Sequence, residues 1–146
     1  MKRFDLRSSH RRSEGGPPRK DLNEGVQMTD RLSASLSTSA ARSPQRACFL
    51  LRVRPELLPE YVEAHQHVWE SMREALSRSG WRRYSLFLRA EDGLVVGYFE
   101  SDDVAAAMAA MDREEVNARW QAEMAQYFVP PNGGAPELLD QYFHLA

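Results

Sequence analysis

The stretch that decides the fold is residues 82–100, which read RRYSLFLRAEDGLVVGYFE. Two runs of aromatic and apolar β-forming residues, at 82–89 and 94–100, flank a Glu-Asp-Gly sequence at 91–93. Two such runs joined by a short turn that contains glycine are typical of a β-hairpin. The stretch therefore predicts a pair of antiparallel strands, and the remaining elements can be placed around it.

A strand and a helix precede the hairpin. Residues 47–53 are an apolar run that predicts a strand, and Pro55 ends it, because the fixed φ of proline suits the first turn of a helix. Over residues 56–79 the apolar side chains recur at helical spacing and fall on one stripe, and Gly80 follows. We therefore predict one continuous amphipathic helix over this range.

Two further helices and a strand follow the hairpin. Acidic residues suit the start of a helix over about 102–111, and a second helix is predicted from Asp112 to about Phe128. A loop rich in proline and glycine covers 129–137, and residues 138–145 are predicted as a terminal strand. The order β-α-β-β-α-α-β predicts an α+β, ferredoxin-like fold with a four-stranded antiparallel sheet and helices on one face.

Apolar residues lie on both faces of the predicted sheet. The first strand of the hairpin carries Tyr84, Leu86 and Leu88 on one face but Phe87 on the other, and the second strand is apolar almost throughout. A sheet that helices cover on one side only should carry polar residues on its other side. We therefore predict a symmetric homodimer in which two copies of the sheet pack face to face.

The first 44 residues differ in composition from the rest. They hold nine Lys or Arg, five Asp or Glu, eight Ser and one aromatic residue, whereas residues 45–146 hold ten Arg and sixteen Asp or Glu. The leader has no periodic apolar pattern and contains Gly-Gly-Pro-Pro at 15–18. Because it cannot bury enough apolar surface to offset its ordering entropy, we predict a disordered leader over 1–44 and one domain over 45–146.

Composition and motifs exclude several classes of function. The acidic balance of residues 45–146 and the lack of a basic stripe argue against a nucleic-acid partner. No run approaches the ~20 apolar residues of a membrane span or resembles a signal-peptide core, so we expect a cytoplasmic protein with no membrane partner. Without an HExxH, a CxxC pair or a phosphate loop, no metal or cofactor is expected. Cys48, the single cysteine, is predicted to be a small core residue.

One face of the predicted long helix collects residues suited to proton transfer and ring stacking. Tyr61, His65 and Trp69 recur at i, i+4 and i+8 and should project together, whereas His67 should point into solvent. Histidine is the side chain best matched to proton transfer near neutral pH. A buried imidazole satisfied by one hydrogen bond is the purely structural alternative for His65.

Two aromatic residues outside this helix could complete a pocket. Tyr84 lies on the strand beneath the helix face, and Trp120 lies on the last helix. Ring faces of this kind can stack on the C–H face of a deoxy sugar while polar groups hold its hydroxyls. The same composition is compatible with an ordinary aromatic core, in which Trp120 would only pack.

Four segments in order resemble the L-rhamnose mutarotase family. EYVEAHQHVW at 60–69 is similar to the EYxxxHxxxW helix of that family. YSLFL at 84–88, NARW at 117–120 and LDQYFHL at 139–145 follow at family-like spacing. The resemblance covers about residues 46–146 and leaves the leader out.

The resemblance implies a dimeric α/β-barrel that interconverts the α and β anomers of L-rhamnose without metal or cofactor. It implies that His65 is the catalytic proton donor, which we assign to the sugar ring oxygen while leaving the partner base open. The substrate contacts that it implies are Tyr61, Tyr84 and Trp120.

Two more residues are included among the predicted substrate-binding residues. Trp69 closes the first family-like segment and shares the face of His65. Gln121 stands where some members of the family have a second aromatic residue, so an amide hydrogen bond would replace a stacking face. The loop at 130–134 also lacks an aspartate that some members carry, which leaves the sugar preference open.

The same architecture hosts other functions. Dimeric α/β-barrels include cofactor-free monooxygenases and small-ligand-binding proteins, so the fold alone does not decide the activity. A binding protein would keep the aromatic pocket without needing His65 to titrate, and a monooxygenase would need an electron-rich aromatic substrate. Mutarotation needs only positioned proton donors and acceptors, which a histidine beside tyrosine hydroxyls can supply.

Removing residues 1–44 should leave the melting temperature of the remaining chain unchanged. Ordering the leader would cost roughly 1–2 kcal/mol of backbone entropy per residue, with no apolar stripe to offset that cost. Thermal denaturation of the full-length and truncated chains, followed by circular dichroism, measures the difference. A lower melting temperature of the truncated chain at low salt only would show that the basic leader docks on the acidic domain.

Overall fold

The computed structural model describes residues 27–36 and 45–145, and the chain divides into two compact units after Ser33. Residues 27–36 form a helix, α1, with largely exposed side chains. This helix departs from the disorder predicted for the leader, and the absence of glycine and proline from the segment allows it. The rest of the predicted disordered leader, 1–26 and 37–44, lies outside the described residues.

The predicted hairpin is the outer half of the sheet. Strand β2 (Arg82–Arg89) pairs antiparallel with β3 (Leu94–Glu100), and β3 pairs antiparallel with β1 (Arg46–Arg52). Gly93 closes the turn at φ 72°, and a Cβ there would lie 2.0 Å from the carbonyl oxygen of Val53. The turn therefore needs glycine for both its backbone conformation and its space.

The sheet has four antiparallel strands in the order β2-β3-β1-β4, which confirms the predicted α+β fold. The last strand is much shorter than predicted, since β4 contains only Glu137–Leu138. The Leu139 N–H donates to the Cys48 carbonyl at 2.9 Å, and residues 140–145 have no strand assignment. In this register Arg46, the first residue of β1, lies opposite residue 141, so a strand over 138–145 would extend beyond the strand it pairs with.

The predicted long helix is divided in two. After a 3-10 turn at Pro55–Leu57, α2 covers Leu58–Gln66 and α3 covers Glu70–Arg78. His67 leaves the helical conformation at φ −125° and ψ 41°, and Trp69 is extended at φ −54° and ψ 140°. Neither glycine nor proline marks the break, so the apolar periodicity could not reveal it.

Two helices pack after the hairpin, as predicted. Helix α4 covers Val104–Asp112, and the Asp103 carboxylate caps it by accepting the Ala106 N–H at 3.0 Å. Helix α5 covers Glu115–Met124 and continues into a 3-10 turn at Ala125–Tyr127.

The core lies between the sheet and the helices. Val53, Val95 and Phe99 are the largest fully buried side chains, and the Phe99 ring stacks on Trp81 with centroids 3.7 Å apart. In β1 and β3 buried positions alternate with half-buried ones, so alternate side chains point away from the helices. Cys48 is one of these half-buried residues, and its prediction as a core residue is wrong because Ala47 and Phe49 take the inward positions.

Candidate active site

A cavity of about 1130 Å³ lies between the sheet and the helix layer. Five of the predicted site residues line it, and they come from α2, β2 and α5: Tyr61, His65, Tyr84, Trp120 and Gln121. Trp69 is not on the wall. Its ring packs edge-to-face on the Trp120 ring, with centroids 5.2 Å apart, so it supports a wall residue from behind.

His65 sits in the last turn of α2 and is held by its backbone. Its Nδ1 lies 2.9 Å from the carbonyl oxygen of Tyr61. A carbonyl can only accept, so Nδ1 carries the hydrogen, and in the neutral ring Nε2 keeps a free lone pair. The imidazole also lies 4.3 Å from the Tyr61 ring and 5.4 Å from the Trp120 ring, measured between centroids.

These surroundings favour the neutral imidazole. Burial lowers the pKa of His65, and the hydrogen bond to the Tyr61 carbonyl opposes that shift in smaller measure. The ring therefore enters a reaction near neutral pH as a proton acceptor at Nε2. It becomes a donor only after it has taken up a proton.

Two tyrosines remain protonated beside it. Tyr61 is only 4% exposed, and burial raises its pKa to about 12. The pKa of Tyr84 is raised by burial of its hydroxyl and, in second place, by repulsion from Tyr61. Tyr84 packs edge-on against Trp81, with centroids 5.0 Å apart, yet keeps 39% of its surface exposed. Both hydroxyls can donate hydrogen bonds throughout the physiological range.

Trp120 is the central residue of the aromatic cavity wall. It is 6% exposed, belongs to the main core cluster, and packs at nearly right angles to the rings of both His65 and Trp69. The same ring therefore packs in the core and lines the cavity.

Gln121 is oriented by a neighbour that the sequence analysis missed. The Asn117 amide donates to the Met111 carbonyl at 3.0 Å, and its oxygen accepts from the Gln121 amide at 3.3 Å. Asn117 also lines the cavity. Its position four residues before Gln121 on one helix was the available signal. The chain of amides leaves the Gln121 carbonyl oxygen as an acceptor.

His67 is exposed, as predicted, and lies at the rim of the cavity. Its Nδ1 donates to the Glu63 carbonyl at 3.1 Å. Within 27–36 and 45–145, no cluster of three or more His, Cys, Asp or Glu side chains could hold a metal ion. The helices in these ranges are also too short or too polar to cross a membrane.

Comparison with known proteins gives a consistent match. The family model for L-rhamnose mutarotase matches residues 46–145. A relative from Mesorhizobium japonicum, named L-rhamnose mutarotase, is 29% identical over 105 residues, which cover 70% of this chain and 99% of the relative. Relatives of the same name from Pectobacterium carotovorum and Bacillus subtilis are each 30% identical and cover 68% and 66% of this chain, and 97% and 91% of their own lengths.

A solved structure shares the fold. The crystal structure of an L-rhamnose mutarotase from Formosa agariphila superposes with a TM-score of 0.59 at 18% sequence identity. The match covers 69% of this chain and 98% of that one. At this identity the similarity shows the fold alone.

The burial of His65 among aromatic rings should be measurable as a lowered pKa of its imidazole. We expect His65 to titrate below the ordinary histidine pKa of 6.5, because burial disfavours its charged form. Trp120→Ala, which removes one ring from this cover, should move the pKa back towards 6.5. NMR of the imidazole Cε1–H signal across a pH series measures both values. A wild-type His65 pKa above 6.5, or a further decrease in the variant, would contradict this account.

Proposed function

Because the chain belongs to the L-rhamnose mutarotase family, we propose that its cavity interconverts the α and β anomers of L-rhamnose. The single observation that supports this most directly is the free Nε2 of His65 on a wall of tyrosine and tryptophan rings. Proton transfer and ring stacking are the two functions that such a reaction requires of the protein. The family match favours this activity over a small-ligand-binding protein or a monooxygenase.

The proton transfers follow from the state of His65. Ring opening removes the proton of the anomeric hydroxyl and delivers a proton to the ring oxygen. A neutral Nε2 acts as the base at the anomeric hydroxyl, and a tyrosine hydroxyl, from Tyr61 or Tyr84, donates to the ring oxygen. After the aldehyde group turns its other face to the ring hydroxyl, the same groups exchange roles and the imidazolium returns its proton.

This assignment places His65 at the anomeric oxygen rather than at the ring oxygen. The donor role predicted for His65 belongs to the closing half of the reaction, when its imidazole has already taken up a proton. The lowered pKa of His65 supports this order, because a protonated ring is disfavoured before substrate supplies the proton.

Recognition of the sugar rests on rings and on one amide. The faces of Trp120 and the tyrosines offer apolar surface to the C–H groups, and Trp69 holds Trp120 in place. The Gln121 oxygen, oriented through Asn117, accepts from a sugar hydroxyl. An acceptor held in this orientation favours a substrate with a hydroxyl within its reach.

The two neighbouring histidines provide a matched pair of variants. His65→Ala should slow anomer exchange by roughly 10²–10⁴-fold, the usual contribution of a general acid–base group. His67→Ala should have little effect, because His67 is exposed and is not part of the aromatic wall. Saturation-transfer NMR between the two L-rhamnose anomers measures the exchange rate. Equal losses in both variants, or none in His65→Ala, would contradict the assignment.

The outward face of the sheet supports the homodimer. Cys48, Leu50, Val96 and Tyr98 point away from the helices and are only half-buried, and Phe87 beside them is 62% exposed. Leaving these apolar side chains in contact with water is unfavourable. We therefore propose that two copies pack these faces together, and this open face is the dimer interface.

Introducing a charge at the open face should separate the two copies. Phe87→Glu would bury a carboxylate without a partner, which costs several kcal/mol, so we expect a monomer or an unfolded chain. Ala109→Glu, on the exposed side of α4, is the matched control and should remain dimeric. Light scattering of the wild type should give twice the chain mass of 16.7 kDa. A folded wild-type monomer at micromolar concentration would exclude the dimer.

A further inference from the structure

The pairing of β2 with β3 contains a bulge beside Tyr84. Arg82 lies opposite residue 100 of β3 and Ser85 lies opposite residue 98, so two residues of β2, 83 and 84, face residue 99 alone. Two residues against one is the pattern of a β-bulge, a feature that can turn a side chain towards a site. The bulge lies where β2 joins the cavity wall, since Tyr84 is a wall residue.

The bulge decides on which face of the sheet Tyr84 lies. Residues directly opposite each other on antiparallel strands share a face, and Phe99 is fully buried on the helix side. Tyr84 shares that face, with its ring centroid 6.4 Å from that of Phe99. If the register continued from Arg82 without the extra residue, Tyr84 would lie opposite Tyr98 on the outward face of the sheet.

Arg83 has a backbone conformation that its own Cβ makes unfavourable. Its φ is 50°, and within residues 27–36 and 45–145 it is the only residue other than glycine with a positive φ. In this left-handed region the Cβ comes too close to the following carbonyl oxygen. Contacts elsewhere must therefore hold Arg83 in this conformation.

Glu100 holds the side chain of Arg83. The Arg83 Nη1 donates to Glu100 Oε2 at 3.0 Å, and the Tyr98 hydroxyl donates to Oε1 of the same carboxylate at 3.2 Å. Arg46 Nε lies 3.7 Å from Oε1, and the Glu100 side chain is only 18% exposed. An exposed ion pair contributes little when both partners are mobile, but here groups on β1 and β3 already fix the acceptor.

We propose that Arg83 is a positioning residue for Tyr84, because its ion pair with Glu100 holds the bulge that keeps the Tyr84 ring and hydroxyl on the cavity wall. Arg83 does not line the cavity, so it acts through Tyr84 and not on the sugar. The inference rests on the proposed mutarotase function for its kinetic test, whereas the position of the ring is measured without substrate.

The first test measures the position of the Tyr84 ring. The rings of Tyr84 and Trp81 have centroids 5.0 Å apart, so NMR should show nuclear Overhauser effects between their protons. Arg83→Met removes the ion pair and should weaken these effects, because the left-handed conformation is no longer held. Effects of unchanged intensity in Arg83→Met would overturn the proposal.

Two further variants make this test specific. Arg89→Met is the matched control, because it removes the ion pair with Asp92 at the other end of β2, and it should leave the Tyr84–Trp81 effects unchanged. Glu100→Gln removes the charge of the anchor and should weaken them in the same direction as Arg83→Met. It decides the question if Arg83→Met does not fold.

The second test follows L-rhamnose anomer exchange at several sugar concentrations. Arg83→Met should lower kcat by roughly 10–10²-fold with a smaller change in KM, since a misplacement of about 1 Å can have such an effect. Arg83→Gly should lose less, because glycine adopts a positive φ without a Cβ penalty. Arg83→Lys, which can keep one bond to Glu100, should recover most of the rate. A wild-type kcat in Arg83→Met, or an Arg83→Lys chain as slow as Arg83→Met, would overturn the proposal.

A double-variant cycle shows whether Arg83 acts through Tyr84. Tyr84→Phe removes the hydroxyl, so its position no longer matters, and Arg83→Met should slow this chain much less than it slows the wild type. Losses that multiply, or a Tyr84→Phe chain as fast as the wild type, would overturn the proposal. A wild type without anomer exchange would refute the mutarotase function instead, and the nuclear Overhauser effects would still decide whether Arg83 positions Tyr84.

Discussion

The rest of the structure depends on the unbroken antiparallel pairing of β1 with β3 at the centre of the sheet. The pairing runs from Arg46 opposite Glu100 to Arg52 opposite Leu94 without a bulge. Because side chains alternate along a strand, this register commits Phe49 and Phe99 to the helix side and their neighbours to the other. A slip of one residue would exchange the core with the open face. The cavity, the apolar open face and the position of β2 all follow from this register.

The chemistry of the site depends on residues from separate elements that contact one ring, that of Trp120. Trp120 of α5 touches His65 from α2 and Trp69 from the break before α3. The same apolar contacts that fill the core also lower the pKa of His65, so packing and reactivity have one cause. The bond from Nδ1 to the Tyr61 carbonyl is local to α2, and it determines which nitrogen of His65 keeps a free lone pair.

Local patterns predicted most elements but not their limits. The β2–β3 hairpin lies where the sequence predicts it, because a glycine-containing turn between two β-forming runs depends only on about twenty consecutive residues. The division of the long helix at His67 was missed, because no residue type breaks a helix there and the ring of Trp69 has its partner on α5. The terminal strand was predicted too long for a similar reason, since its length depends on where β1 begins.

The sequence by itself determined the fold class, the hairpin and the four-residue spacing that brings Tyr61 and His65 together. These features depend on helical and strand periodicity, which needs no knowledge of distant residues. Only the tertiary structure decided that Trp69 stands behind the cavity wall and that the last strand stops pairing with β1 after Leu139. Both features depend on contacts between elements far apart in the chain, and sequence spacing carries no record of such contacts.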